Sequence, residues 1–398
     1  RWVVCSSLMG FLCGLVGAVF FHMVRWATNM RLAHPWLLYL LPVGGLVIVF
    51  VYEICRMSTD RGTNAVIESA REGKRAPLRL TPLIIMATFI THLLGGSAGR
   101  EGAALQIGGG LGFQAGKLLR LGEKDLPLAT LCGMSGVFSA LFGTPLTATV
   151  FALEVISVGV LYYAGLVPCI TAAMAAYGVS ALMGVEPTRF TVSMPRVTLE
   201  LMLPVVALSI LCALVSILFC KGLHWTEHLL TRSFRNPWLR VLAGAAILIV
   251  LSMLTNGDYN GAGMDVIARA LRGDVSGWAW LWKLLFTAVT IGCGFKGGEV
   301  VPSFFVGAAF GCFMGGLLGL PAGFAAAIGL VAVFCGAVNC PVASVLLSVE
   351  LFGSAGAPYF AVACALSYLL SGYCGLYSSQ TILYSKLRAE FINVRTHE

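Results

Sequence analysis

Long apolar runs follow one another along the whole chain, separated by short polar connections. Residues 37–52, 201–219 and 241–254 carry no charge and approach the ~20 apolar residues that a helix needs to cross a bilayer core. Between such runs lie shorter apolar segments interrupted by Gly or Pro, at 81–94, 103–119, 128–142 and 302–317. No stretch reads as a separable soluble domain. The pattern predicts an all-α integral membrane fold of many tilted helices, some of them broken, with more than ten membrane-embedded segments. Residues 5–21 run on amphipathically through His22, Arg25 and Trp26, which favours a first embedded helix over a cleaved signal peptide. Because the chain opens on Arg1, a preceding native segment is expected.

Composition agrees with the pattern. Of 398 residues, 58% are hydrophobic and 11% charged, where a soluble chain carries roughly a quarter charged residues. The formal charge of +8 does not indicate nucleic acid as a partner. Basic residues gather in short connections (Arg71, Lys74, Arg75 and Arg79; Lys117, Arg120 and Lys124; Lys386 and Arg388), as expected for orientation against a lipid surface. The 13 cysteines lack metal-ligand spacing and fall mostly in apolar runs, so they are expected to be small buried residues, with no metal or cofactor.

The chain also echoes itself with a period of about 200 residues. Pro35-Trp36-Leu37 returns as Pro237-Trp238-Leu239, and Val66, Ile67, Ala70 and Gly73 return as Val266, Ile267, Ala270 and Gly273. Gly99, Gly108, Gly112 and Gly116 return as Gly298, Gly307, Gly311 and Gly315. Pro145, with Glu154 nine residues on, returns as Pro341 with Glu350 nine residues on. These blocks divide one membrane domain into related halves, 1–195 and 196–398. Transporters are often built this way, with a midplane substrate site made by broken helices. A free helix N-terminus offers unpaired N–H groups and about half a positive charge, so several converging ones bind an anion without a basic side chain. Close helix packing alone accounts for glycines in general but not for their repetition ahead of a carboxylate.

Two segments carry the candidate chemistry. Gly95-Gly96-Ser97-Ala98-Gly99-Arg100-Glu101-Gly102-Ala103 opens a new apolar segment and puts Glu101 at a helix start inside the membrane domain. An ionisable group there is costly unless it has a function or a partner such as Arg100. The second half reads Gly294-Phe295-Lys296-Gly297-Gly298-Glu299-Val300-Val301-Pro302, with Glu299 at the start of another helix and Pro302 suited to its first turn. Pairing with Lys296 is the structural alternative for Glu299. His92, in the segment before Glu101, is expected to be a hydrogen-bonded core histidine rather than a proton relay; His22, His34, His224 and His228 carry less weight. Glu154 and Glu350 end their segments and are expected to be interfacial or structural.

Gly99-Arg100-Glu101-Gly102 resembles the gating motif of the CLC family of anion channels and proton-coupled anion exchangers, with Ala103 where proline is usual. The block 145–154 and Leu376-Tyr377-Ser378 resemble that family in order and spacing, so the resemblance covers essentially the whole chain. It implies two inverted-topology repeats, a homodimer and a separate pore in each subunit. It further implies that Glu101 is the external gating and proton-coupling glutamate and Tyr377 the inner gate. The anion-site loops would be Thr63 and Asn64, Gly99, Arg100 and Gly102, and Gly298, Val300 and Val301.

Departures from the chloride-handling pattern point to the substrate. The serine-bearing GSGIP segment is replaced by Asp60-Arg61-Gly62-Thr63-Asn64, GxFxP by Gly298-Glu299-Val300-Val301-Pro302, and the internal glutamate after Glu154 by Val155. This set resembles the fluoride/proton antiporter branch, in which Glu299 would be a second pathway carboxylate. Once protonated it could donate a hydrogen bond to a small anion. The favoured reading is a multi-pass bacterial cell (inner) membrane protein that exchanges fluoride for protons. A chloride exchanger or a passive anion channel is the alternative. An intramembrane enzyme would need a nucleophile–base pair or a metal cluster such as HExxH, which the sequence does not offer.

Overall fold

The computed structural model describes residues 1–58, 61–73, 77, 79–388 and 390–396; Asp60, Lys74 and Arg75 lie outside the described residues. Sixteen α-helices occur among the described residues, and their lengths run in two similar series. The first eight are α1 (Trp2–Ala33), α2 (Leu41–Ile54), α3 (Thr63–Glu72), α4 (Leu80–Leu94), α5 (Glu101–Leu118), α6 (Leu126–Phe142), α7 (Pro145–Glu154) and α8 (Leu166–Leu182). The second eight are α9 (Leu199–Ser233), α10 (Pro237–Leu254), α11 (Met264–Leu271), α12 (Ala279–Gly292), α13 (Val300–Leu317), α14 (Ala322–Val338), α15 (Pro341–Phe352) and α16 (Ala357–Leu370). Seven helical segments among the described residues are long and apolar enough to cross a bilayer, and five shorter apolar ones accompany them.

Length and sidedness follow from where each helix sits. At 1.5 Å per residue, the 32-residue α1 and 35-residue α9 exceed a bilayer core of about 30 Å, so they must tilt or project beyond it. Their outer faces expose Val4, Leu8 and Phe11, and Leu203, Leu214 and Leu218, as lipid-facing helices do. By contrast α6 and α14 are apolar all round and buried along almost their entire length, which makes them the centre of the protein. α5 packs on α6, and α13 on α14, closely enough for backbone to meet backbone. A Cβ on Gly108 would strike Gly133 O, and one on Gly307 would strike Gly329 O.

The short helices end inside the protein and need caps. Glu154, at the end of α7, accepts from Val342 N (3.2 Å) and Ala343 N (2.9 Å) at the start of α15. Glu350, near the end of α15, accepts from Leu146 N (3.0 Å), Thr147 N (2.8 Å) and Thr147 Oγ1 (2.5 Å) at the start of α7. Each helix therefore supplies the anion that satisfies the orphan amides of the other. This gives the two carboxylates the structural role anticipated from their positions.

Three short strands among the described residues depart from a wholly helical reading. β2 (Thr381–Tyr384) pairs in parallel with β1 (Ser157–Val158) and antiparallel with β3 (Phe391–Arg395). Strands of two to five residues are too brief to leave a period in the sequence. They tie the C-terminal segment to the body of the protein, as does Gln380, whose Nε2 donates to Val155 O (3.0 Å) and Val338 O (2.8 Å).

Candidate functional site

The site is assembled where the loops before α5 and α13 meet. α4 ends at Gly95, whose φ of 93° lets the chain turn sharply back. Ser97 then binds α12, its N–H donating to Thr290 Oγ1 (3.0 Å) and its Oγ lying 3.1 Å from Thr287 Oγ1. Next, Gly99 and Gly298 exchange two backbone hydrogen bonds, each 2.7 Å, forming an isolated antiparallel bridge. No side chain fits there. A Cβ on Gly99 would collide with Glu101 Oε2, one on Gly298 with Gly102 N, and one on Gly102 would come within 2.9 Å of Gly298 Cα.

Directly after this bridge the two helices begin. Glu101 is the first residue of α5 and Val300 the first of α13, with Glu299 as the α13 N-cap. Glu101 is 1% exposed. Its Oε1 lies 3.8 Å from Arg100 Nε, and the amides of Glu101, Val301 and Arg100 bear on its carboxylate, while Oε2 has no hydrogen-bond partner among the described residues. The carboxylate therefore occupies the space between the N-termini of α5 and α13, where partial positive charge gathers. Arg100 is held from behind, its guanidinium 4.4 Å from the Phe21 ring centroid and its Nη2 3.5 Å from Leu141 O.

Glu299 and Tyr377 line a cavity of about 500 Å³ that also takes in Thr63, Asn64 and Gln106. Glu299 Oε2 and the Tyr377 hydroxyl are buried without hydrogen-bond partners among the described residues. Lys296 is not in ion-pair contact with Glu299; its Nζ lies over the Tyr52 ring, 4.9 Å from the centroid. The pairing offered as a structural alternative is therefore not made. Thr63 opens α3, its hydroxyl 3.4 Å from Gly102 O. Asn64 also makes a contact at the edge of this cavity. Its Oδ1 accepts from Ser379 N (2.9 Å), so its carboxamide oxygen steadies the segment that carries Tyr377. Glu68 and Arg71 of α3 hold the same segment through Ser379 Oγ (2.9 Å) and Ser379 O (2.7 Å).

Thr63, Gly99, Arg100, Glu101, Gly102, Gly298, Glu299, Val300, Val301 and Tyr377 thus converge from four separate stretches of chain. The region from 43 to 372 matches the family described as "Voltage gated chloride channel". The chain belongs to this family. Among its relatives, a protein of Pseudomonas syringae pv. tomato described as "Chloride/fluoride channel protein" is 37% identical over 395 residues, covering 97% of this chain and 87% of the relative. The "H(+)/Cl(-) exchange transporter ClcA" of Vibrio cholerae is 25% identical over 385 residues, covering 87% and 81%. A solved CLC-type fluoride/proton antiporter superposes with a TM-score of 0.92 at 32% identity, covering 95% of this chain and 97% of that one. A slow cyanobacterial Cl-/H+ antiporter superposes at 0.80 with 19% identity over 93% and 94%, a likeness of fold. The all-α, multi-pass membrane architecture is accordingly that of the voltage gated chloride channel family.

Several residues that line this cavity carry no motif in the sequence. Gln106, 3% exposed, stands on the Glu101 helix with Nε2 3.4 Å from Thr63 Oγ1 and its Oε1 without a partner. Its only sequence signal was a polar residue in an otherwise apolar segment. His224, Glu227 and Arg240 border the cavity from α9 and α10, far from either motif. His92 is buried as expected, with Nδ1 2.9 Å from Thr88 O, but its Nε2 has no partner. Val155, the residue after Glu154, is fully buried, and its carbonyl accepts from Gln380 Nε2.

Proposed function

We propose that this protein is a fluoride/proton antiporter with Glu101 as the coupling group. The observation that carries the reading is the buried Glu101 carboxylate lying between the N-termini of α5 and α13, in the place an anion would take. Ionised, the carboxylate closes the path. Once protonated it loses the charge that holds it between the two helix ends, and fluoride can accept the vacated N–H groups. The proton then moves on the same side chain that the anion displaces, which couples the two fluxes. Glu299, in its protonated form, would offer fluoride a hydrogen-bond donor and crowd a larger anion. Thr63, the backbone of Gly99, Arg100, Gly102, Gly298, Val300 and Val301, and Tyr377 would surround the ion, with Asn64 in support and Tyr377 as the inner gate.

The same reading takes residues 1–195 and 196–398 as the two repeat halves, meeting at Gly99 and Gly298. It takes the functional unit as a homodimer with one path per subunit, in the inner membrane of a bacterium. It assigns the protein no covalent chemistry, nucleic-acid partner, metal or cofactor. A passive anion channel is the second reading, favoured by the description of the Pseudomonas syringae relative as a channel protein.

Proteoliposomes loaded with fluoride or chloride, with pH followed in parallel, separate these readings. The expected result is fluoride release much faster than chloride, with protons moving the opposite way. Equal release of both ions would overturn the fluoride assignment, and fluoride release without protons would favour the channel.

A further inference from the structure

An antiporter must bring protons to its anion site from solvent, and the fold offers a graded set of titratable groups that leads there. The cavity bounded by Glu299 and Tyr377 extends to the C-terminal part of α9, where His224 and Glu227 stand three residues apart on one helix face. At about 30 Å³ per molecule, its volume holds several waters. Glu227 is exposed at the rim, His224 is half-buried, and Glu299 Oε2 is buried without a hydrogen-bond partner.

The details of these groups suit proton passage. His224 Nδ1 lies 2.7 Å from Cys220 O. A carbonyl can only accept, so Nδ1 carries the hydrogen and Nε2 is the basic nitrogen of the neutral ring. Glu227 makes no ion pair among the described residues, although Arg61, Arg240 and Lys296 line the same cavity. It acts electrostatically on Glu299, as do Glu101 and Lys296.

We propose that Glu227 and His224 form the port through which protons pass between solvent at the mouth of this cavity and Glu299. The proposal rests on the antiporter reading. A proton taken up by the Glu227 carboxylate is handed to Nε2 of His224, giving an imidazolium. The imidazolium returns it from Nε2, through cavity water, to the Glu299 carboxylate. Only O–H and N–H bonds are exchanged, and both port groups end as they began.

The test compares wild type, Glu227→Gln, His224→Gln and, as a control at an exposed α9 residue outside the cavity lining, Lys221→Gln in fluoride-loaded proteoliposomes. Initial proton and fluoride fluxes are measured in weakly buffered medium and again with concentrated imidazole, a small carrier that can enter the cavity. The port predicts that Glu227→Gln and His224→Gln slow both fluxes several-fold in weak buffer and that imidazole restores them, with Lys221→Gln unchanged. Full rates in weak buffer would overturn it, as would slow rates that imidazole does not restore, which would mark a folding defect. Wild type that releases fluoride without protons would overturn the antiporter reading itself.

Discussion

Gly99 and Gly298 are bonded to each other by a reciprocal pair of 2.7 Å backbone hydrogen bonds, and two residues on from each a helix begins, at Glu101 and at Val300. This one contact fixes the distance between the α5 and α13 N-termini, and hence the width of the space that Glu101 fills. Its tolerance is small because backbone meets backbone there. Gly298→Ala is expected to cost about 1–3 kcal/mol through overpacking and to abolish transport. Gly316→Ala, with nothing within 4 Å of the added carbon on the same α13, should leave both unchanged. Thermal unfolding in detergent and fluoride efflux measure the two effects; a wild-type Gly298→Ala protein would mean the bridge does not set the site.

Glu101→Gln keeps the shape of the side chain but can neither take the negative charge nor give up and regain a proton as a carboxyl does. Proton movement should cease, with fluoride flux uncoupled or arrested. Following both ions in the same liposomes decides the matter, since persistent proton transport driven by a fluoride gradient would remove Glu101 from the coupling step.

The second carboxylate gives a different contrast. Because Lys296 rests over Tyr52 rather than on Glu299, Lys296→Met should leave the Glu299 side chain where it is. Glu299→Gln should slow fluoride release and narrow the preference for fluoride over chloride. Parallel efflux of the two ions reads both changes, and a harmless Glu299→Gln would confine that residue to a structural role.

The reciprocal caps predict a defect in stability without one in selectivity. Glu350→Ala leaves Leu146 N, Thr147 N and Thr147 Oγ1 without their acceptor, at a cost of about 1–3 kcal/mol. The melting temperature should fall while the ratio of fluoride to chloride rates holds. A changed ratio would connect the caps to the ion path.

Cross-linking or mass measurement in detergent should give two chains per particle, as the dimer in the proposed function requires. A strictly monomeric particle with full transport activity would exclude that assembly.

The sequence by itself determined the solvent of this protein. Runs of fourteen to nineteen uncharged, mainly apolar residues are satisfied in lipid or in a protein core as helices, whose backbone groups pair within the segment. Local order also wrote the helix starts, because a Gly-rich turn followed by an apolar run commits the chain to open a helix at Glu101 and again beside Glu299. The family, too, was legible in Gly99-Arg100-Glu101-Gly102. What local order could not decide was contact. That Gly99 bonds to Gly298, that Glu154 caps α15 while Glu350 caps α7, and that Asn64 holds Ser379 all depend on distances between stretches far apart in the chain. Lys296 shows the same limit from the other side: three residues from Glu299, it turns away because an aromatic face is within reach. Gln106, His224 and Glu227 had no motif to announce them and became candidates only because packing lined one cavity with them. A sequence encodes which groups are available and where helices begin; which groups share a low-dielectric space is settled when the helices close around it.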